Sequence, residues 1–303
     1  RKNRFLEDPR NLLVRTFVDY CEALHPRFVL MENVAEMKNG FEQAYTEELI
    51  ERLEAAGYSV LHGVLNAANY GVPQRRRRAF FLAARDGVSP RLPTPTHRSP
   101  RSDPTLFNQS KHVTVWEAIS DLPRLKHGEG SEVCEYATNP RSDFQRVVRN
   151  GENEVTNHIA RKLQPLQYRR LSSLRPGQGL KDLPEDIRPK SGYSGAYGRL
   201  TKEMIAPTIT RWVFHPGSGR YGHPVDARVV TIREAARFQA FPDDFRFTGT
   251  YIQQSHQVGN AVPPLLAQRV AEEMLATQYG QAASTSERAF QNQSFAMAKG
   301  SQK

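Results

Sequence analysis

Three groups of residues have the types and spacing to do chemistry on a polar, planar ligand. The first is Glu32-Asn33-Val34, a carboxylate placed directly after the apolar run Phe28 to Met31. In open α/β sheets ligands bind beyond the carboxyl ends of the strands, so a glutamate there can exchange a proton with a bound molecule. The second is Gln74-Arg75-Arg76-Arg77-Arg78, leading into the apolar run Ala79 to Ala83. Side chains alternate along an extended segment, so Arg76 and Arg78 share one face and Arg75 and Arg77 the other. A guanidinium is a planar fork of donors that suits carbonyl or phosphate oxygens. The third is Gly259-Asn260-Ala261-Val262-Pro263-Pro264. It joins a flexible glycine, an amide side chain and a proline-initiated helix whose free backbone amides can hold a polar ligand. Taken singly, each pattern also suits a plainer role: a strand-end cap, a solvated basic edge or transport signal, and a simple turn before a helix.

The elements that must position these groups follow from periodicity. Asp8-Pro9 starts a helix, Leu13, Phe17, Cys21 and Leu24 recur on one of its faces, and His25-Pro26 stops it. Phe28 to Met31 reads as a strand buried on both faces. A second helix carries Leu49, Leu53 and Ala56 on its inner side and closes at Gly57. Tyr58 to Leu65 and Ala79 to Ala83 read as further strands. This alternation predicts a parallel, doubly wound α/β sheet. From Gly87 the composition shifts, with Pro90, Pro93, Pro95, Pro100 and Pro104 among polar residues. The stretch from Thr105 to Val229 has one short helix start, Val115 to Ile119. Basic and aromatic residues interleave at Tyr168-Arg169-Arg170 and from Tyr193 to Arg228, as in a separate, loop-rich mixed domain. Thr231-Ile232-Arg233-Glu234 is a capping box, and Phe241-Pro242-Asp243 ends its helix. Pro263-Pro264 opens a last helix with Leu266, Val270 and Met274 on its apolar face. Residues 281–303 read as a disordered tail.

Lys and Arg number 42 against 32 Asp and Glu, a formal charge of +10, which favours a polyanionic partner such as nucleic acid. Cys21 and Cys134 make neither a disulfide framework nor a zinc pattern, so a reducing, intracellular setting without a metal site is expected. No apolar run approaches the ~18–20 residues of a membrane span, and no signal peptide opens the chain. It begins at Arg1 rather than Met, as a fragment or processed product would.

In this order and at these distances, the three groups resemble the ordered motifs of the DNA cytosine-5 methyltransferases. Residues 233–243 (REAARFQAFPD) resemble another familial stretch. So do Asp8-Pro9-Arg10-Asn11, Val115 to Ile119 with Asp121-Leu122-Pro123, and Asn157-His158. The likeness runs from Asp8 to about Met274. It implies a Rossmann-like S-adenosylmethionine-dependent methyltransferase sheet, incomplete on its N-terminal side, with a smaller target-recognition domain. Residues 1–86 would be the C-terminal part of the catalytic domain and 87–250 the recognition domain, with a scaffold motif at 231–243. Residues 251–280 would return to the catalytic domain. By the same resemblance Glu32 contacts N3 and the exocyclic amine of an extruded cytosine, and Asn33 positions the strand-end loop. Arg78 bonds the ring O2, and Arg76 supports Glu32. Asn260, Ala261 and Val262 belong to the S-adenosylmethionine pocket. Double-stranded DNA is the implied partner, with Arg75, Arg77, Arg211 and Arg220 as candidate DNA contacts. The patch from Arg199 to Tyr221, with Trp212 and His215, is the candidate reading surface.

The family's nucleophile lies in a Pro-Cys-Gln loop, and these 303 residues contain no such triplet, nor the glycine-rich first motif. Cys21 falls on an apolar helix face, where a thiol behaves as a small hydrophobe. The chain is therefore expected not to methylate alone and to expose an apolar sheet edge. Three readings stay open: a fragment of a methyltransferase from a bacterial, cytoplasmic and nucleoid-associated restriction-modification system; a split subunit completed by a second polypeptide; and a non-catalytic DNA-binding module. A relative acting on transfer RNA is a fourth.

Overall fold

The apolar string of residues 12–24 forms helix α1 (Leu12–Leu24), but the buried face differs from the expected one. Val18 and Cys21 are buried and Val14 and Phe17 pack beside them, whereas Leu13 and Leu24 are 65% and 73% exposed. Val14, Phe17, Val18 and Cys21 follow the i, i+3, i+4, i+7 spacing equally well, and packing on the sheet selects that register. The computed structural model describes residues 12–38, 43–99 and 109–278, so the helix start at Asp8-Pro9 and the tail at 281–303 lie outside the described residues. The described parts of Arg1–Leu65, Arg77–Thr94 and Gln268–Lys303 make one compact unit; Asn66–Arg76 and Pro95–Ala267 make a second.

In the first unit β1 (Phe28–Val34), β2 (Ser59–Asn66) and β3 (Arg77–Ala84) form a three-stranded sheet ordered β1-β3-β2. Helix α2 (Gln43–Ala55) joins β1 to β2. The buried Leu49 and Leu53 of α2 meet Val18, Val29, Phe81 and Ala83 in one core. Two expectations change here. First, β1 and β3 run antiparallel, not parallel. A parallel neighbour needs a crossover of about a dozen residues or more, usually helical. The segment 67–76 between β2 and β3 holds a 3-10 turn, Ala67–Tyr70, and no crossover helix. Second, β1 is not buried on both faces. Val29 and Met31 face the helices, while Leu30 and Val34 on the other face are 43% and 42% exposed. Strand β3, in the middle, is the one buried on both faces from Ala79 to Ala84.

The second unit is loop-rich, as expected. It holds the short pair β4 (His97–Arg98) and β5 (Ser110–Lys111), then α3 (Val115–Ile119). An antiparallel pair follows, β6 (Gly130–Glu135) and β7 (Glu154–Ile159), with α4 (Asp143–Arg149) between them in sequence. After α5 (Pro165–Ser172) the chain runs through turns to α6 (Ile232–Phe238). The Thr231–Glu234 capping box forms as read: the Thr231 hydroxyl accepts from Glu234 N at 3.1 Å and the Glu234 carboxylate from Thr231 N at 2.8 Å. Helix α7 (Tyr251–Asn260) was not anticipated; it too starts on a capping box, Thr250 with Gln253. Helix α8 (Pro264–Gln278) buries Leu266, Val270 and Met274 as expected.

Around α6 the core is ionic rather than apolar. The fully buried Arg237 reaches Asp121 at 3.0 Å and Asp243 at 2.8 Å. Arg149 donates to Asp121 at 2.7 Å and Tyr136 to Asp243 at 2.6 Å. Arg233 donates to the Thr156 and Phe245 carbonyls, and Arg228 binds Glu234 with two bonds of 2.7 Å. Burial alone would raise the Glu234 carboxyl, but Arg228 and then His223 hold it well below the usual carboxylate range. Asn157-His158 belongs to this frame. Asn157, in the left-handed region at φ 58°, brackets the Phe247 backbone, and His158 lies between Thr231 and the Pro123 carbonyl.

Candidate active site

Strand pairing sets Glu32 opposite Phe80 and Val34 opposite Arg78. Glu32 and Arg78 are therefore diagonal neighbours on the face of the sheet away from α1 and α2. Arg78 Nε stands 3.1 Å from Glu32 Oε1, and Nη1 donates to the Arg77 carbonyl at 2.7 Å. The Nε contact is charge pairing without in-line donation: Oε1 is buried yet accepts no hydrogen bond among the described residues. A buried carboxylate oxygen lacking a donor is costly to keep and fits a ligand that brings an N–H, or a proton for it to hold. The Asn33 amide oxygen accepts from Val34 N at 2.8 Å and so fixes the strand end.

The rest of the arginine run alternates as predicted. Arg75 and Arg77 are exposed, Arg76 is buried and Arg78 half-buried. Within the second unit, Arg76 Nη1 donates to the Ile209 carbonyl at 3.1 Å and the Gly259 carbonyl at 3.3 Å. The buried Gln74, given no role of its own from sequence, donates to the Phe238 carbonyl and Gln239 Oε1 and accepts from Ile209 N. Arg75 lines an open cleft of about 490 Å³ with Asn66, Asn69, Arg98, Gln109 and His112. Burial, and then Arg75, push the His112 imidazole below its ordinary value.

Gly259 is not the flexible hinge expected of it. It ends α7 where a Cβ would stand 2.2 Å from Arg211 N, so it is there for close backbone approach. Asn260 is exposed, Ala261 and Val262 are half-buried, and Gln239 Nε2 steadies the segment by donating to the Val258 carbonyl at 2.7 Å.

The candidate reading surface divides in two. Arg211 and Trp212 face outward, with the guanidinium 5.3 Å from the indole centroid. Arg220 instead directs Nη1 at the Gly177, Gln178 and Arg199 carbonyls and clamps the backbone. Tyr221 is buried, donates to the Thr208 carbonyl, and has its phenol pushed up by that burial. His215 caps the turn Pro216–Ser218. Burial also raises both thiols, Cys21 and Cys134, so neither carries the lowered pKa of a reactive cysteine. Among the described residues no group of His, Cys, Asp and Glu could hold a metal, and no helix is long and apolar enough to cross a membrane.

Residues 1–276 match the sequence model of the family described as C-5 cytosine-specific DNA methylase. The chain is 34% identical to the type II methyltransferase M.DdeI of Desulfomicrobium norvegicum, over 89% of its own length and 68% of that relative's. It is 36% identical to the type II methyltransferase M1.HphI of Haemophilus parahaemolyticus, over 89% of its length and 62% of the relative's. It thus spans about two thirds of these relatives. A crystal structure described as a DNA modification methyltransferase encoded within an E. coli prophage superposes with a TM-score of 0.68. That likeness, at 23% identity over 90% of this chain and 75% of the other, speaks for the fold.

Proposed function

The chain belongs to the C-5 cytosine-specific DNA methylase family, whose methyl donor is S-adenosylmethionine, and on that premise we propose what its residues do. They supply the base-reading acid, the ring-carbonyl contact and the DNA-recognition unit of an enzyme that methylates carbon 5 of cytosine in a specific duplex sequence. The setting is type II restriction-modification in a bacterial cytoplasm. The observation that carries the reading is the Glu32–Arg78 pair, a carboxylate whose buried oxygen accepts no hydrogen bond among the described residues, beside a guanidinium on one sheet face.

Carbon 5 of cytosine is a weak nucleophile until a thiolate adds at carbon 6. Cys21 lies in the first unit's apolar core and Cys134 on β6, so we assign the thiolate to polypeptide outside residues 1–303, in the same chain or a partner subunit. Extruding the base costs a few kcal/mol. Glu32 then holds the proton at Oε1 that N3 takes as the ring gains electron density, a contribution of about 10²–10⁴ in rate. Arg78 stabilises the negative charge growing on O2. Arg76 keeps the 209 and 259 backbone in place. Asn260, Ala261 and Val262 hold S-adenosylmethionine, which supplies the methyl group when bound.

The test is Glu32→Gln in the complete enzyme, with radiolabelled methyl incorporation and duplex binding measured together. Incorporation falls by about 10²–10⁴ while binding persists. Full incorporation in the variant removes Glu32 from the chemistry. A pure DNA-binding module is the weaker reading, because duplex binding alone has no use for a carboxylate oxygen buried without a hydrogen-bond donor among the described residues.

A further inference from the structure

Trp212 is an indole held firmly in solvent. Its side chain belongs to a residue 46% exposed, yet the backbone around it is fixed from several sides. Trp212 N donates to Thr210 Oγ1 at 3.3 Å, and its carbonyl accepts from Ser218 Oγ at 2.5 Å and His215 N at 2.9 Å. The Arg211 carbonyl accepts from Ser255 Oγ of α7 at 2.8 Å. The 210–211 backbone lies against Gly259 closely enough to exclude any side chain there. The segment therefore shares one frame with Arg76, which holds the Ile209 and Gly259 carbonyls.

The surroundings indicate what covers the ring. Arg211 lies over Trp212, and Arg161 lies 4.5 Å from the centroid of Phe214, whose ring is 5.7 Å from the indole. His256 meets the indole edge-on at 5.8 Å. Arg161 Nη1 donates to the Phe214 carbonyl at 3.3 Å, and neither Arg211 nor Arg161 meets a carboxylate within salt-bridge distance among the described residues. An apolar protein surface laid here would cut the exposed Arg211 off from water and leave most donors of Arg161 unmet. A nucleotide satisfies both features, with its base on the indole and its phosphate at the cations. A rigid ring also loses little freedom on binding, which favours stacking.

We propose that Trp212 is a stacking platform for a base left unstacked in bound DNA, such as the neighbours of an extruded cytosine, with Arg211 on the adjoining phosphate. The inference rests on the DNA reading above and names the residue that steadies the opened duplex.

Trp116 and Trp212 are the two tryptophans of the chain, so Trp116→Phe isolates Trp212 emission. The full chain is titrated with a fully paired duplex and with one carrying a single abasic gap, following anisotropy and emission together. The gapped duplex should quench Trp212 more strongly. Trp212→Ala should weaken gapped-duplex binding by roughly 5- to 100-fold, the range measured for base–aromatic stacks, with smaller loss for the paired duplex. Trp212→Phe, which leaves every backbone bond in place, should recover most of it. Subtracting the emission of Trp212→Phe from that of the parent gives the same readout if Trp116→Phe does not fold. Binding of both duplexes without quenching, or equal affinity in Trp212→Ala, overturns the inference and leaves the DNA reading standing. Binding of neither duplex overturns both.

Discussion

Replacing Gly259 by alanine puts a methyl group where three backbone atoms already lie. The new Cβ would meet Arg211 N at 2.2 Å, Thr210 C at 2.3 Å and Arg211 Cα at 2.6 Å. No rotamer change relieves these contacts, so α7 and the 210–211 backbone must part by about 1 Å. Overpacking of this kind costs about 1–3 kcal/mol. The same movement breaks the 3.3 Å bond from Arg76 to the Gly259 carbonyl, and a hydrogen bond to a charged, buried group is worth about 1.5–3 kcal/mol. Together the loss is about 2.5–6 kcal/mol, or roughly 5–15 °C in Tm for a chain of this size. Thermal unfolding followed by circular dichroism gives the shift, and Trp212 emission reports the displacement locally. A Tm within about 1 °C of the parent would refute the close approach and, with it, the shared frame of Arg76, Gly259 and Trp212.

Arg237→Met leaves two buried carboxylates without their shared cation, and denaturant unfolding should show a loss of about 3–5 kcal/mol; less than about 1 kcal/mol would mean the carboxylates find other partners. Burial pushes the His223 imidazole down to about 3, despite Asp226 and Glu234 nearby, and its Nδ1 accepts from the Val225 and Asp226 amides. The folded state then binds fewer protons than the unfolded one, where histidine titrates near ~6.5. Stability is full above that value and falls as pH drops toward 3, by up to about 1.4 kcal/mol per pH unit. Glu234 and Asp226, both depressed, add to the loss below about pH 4.5. His223→Gln should flatten the slope between about pH 6 and 4, and an unchanged slope there would argue that the imidazole is already charged when folded.

Chemistry was easier to read from the sequence than packing. Glu32 and Arg78 meet because strand alternation and antiparallel pairing put them on one face. Helix α1 shows the limit: its apolar residues offer two overlapping stripes, and only contact with the sheet chooses Val14 and Val18 over Leu13 and Leu24. Helix α7 carried a visible signal, Thr250 three residues before Gln253, hidden by the polar run that follows it. The buried arginines 228, 233 and 237 had none, since charged residues read as surface until their partners are known. Those partners, Asp121, Thr156 and Glu234, are scattered along the chain. Gly259 read as a flexible glycine for the same reason: a glycine that admits a neighbouring backbone and one that frees its own are identical in sequence.

The ionic core around α6 has a consequence for working with this protein in salt. Pairs sealed from solvent are screened little, so Arg237 with its two aspartates should hold at ionic strengths that strip surface contacts. Phosphate contacts made by exposed arginines weaken steeply over the same range, because their strength comes from releasing counterions. Raising sodium chloride should therefore detach nucleic acid long before the core around α6 loosens, which offers a clean way to strip and reload the folded protein.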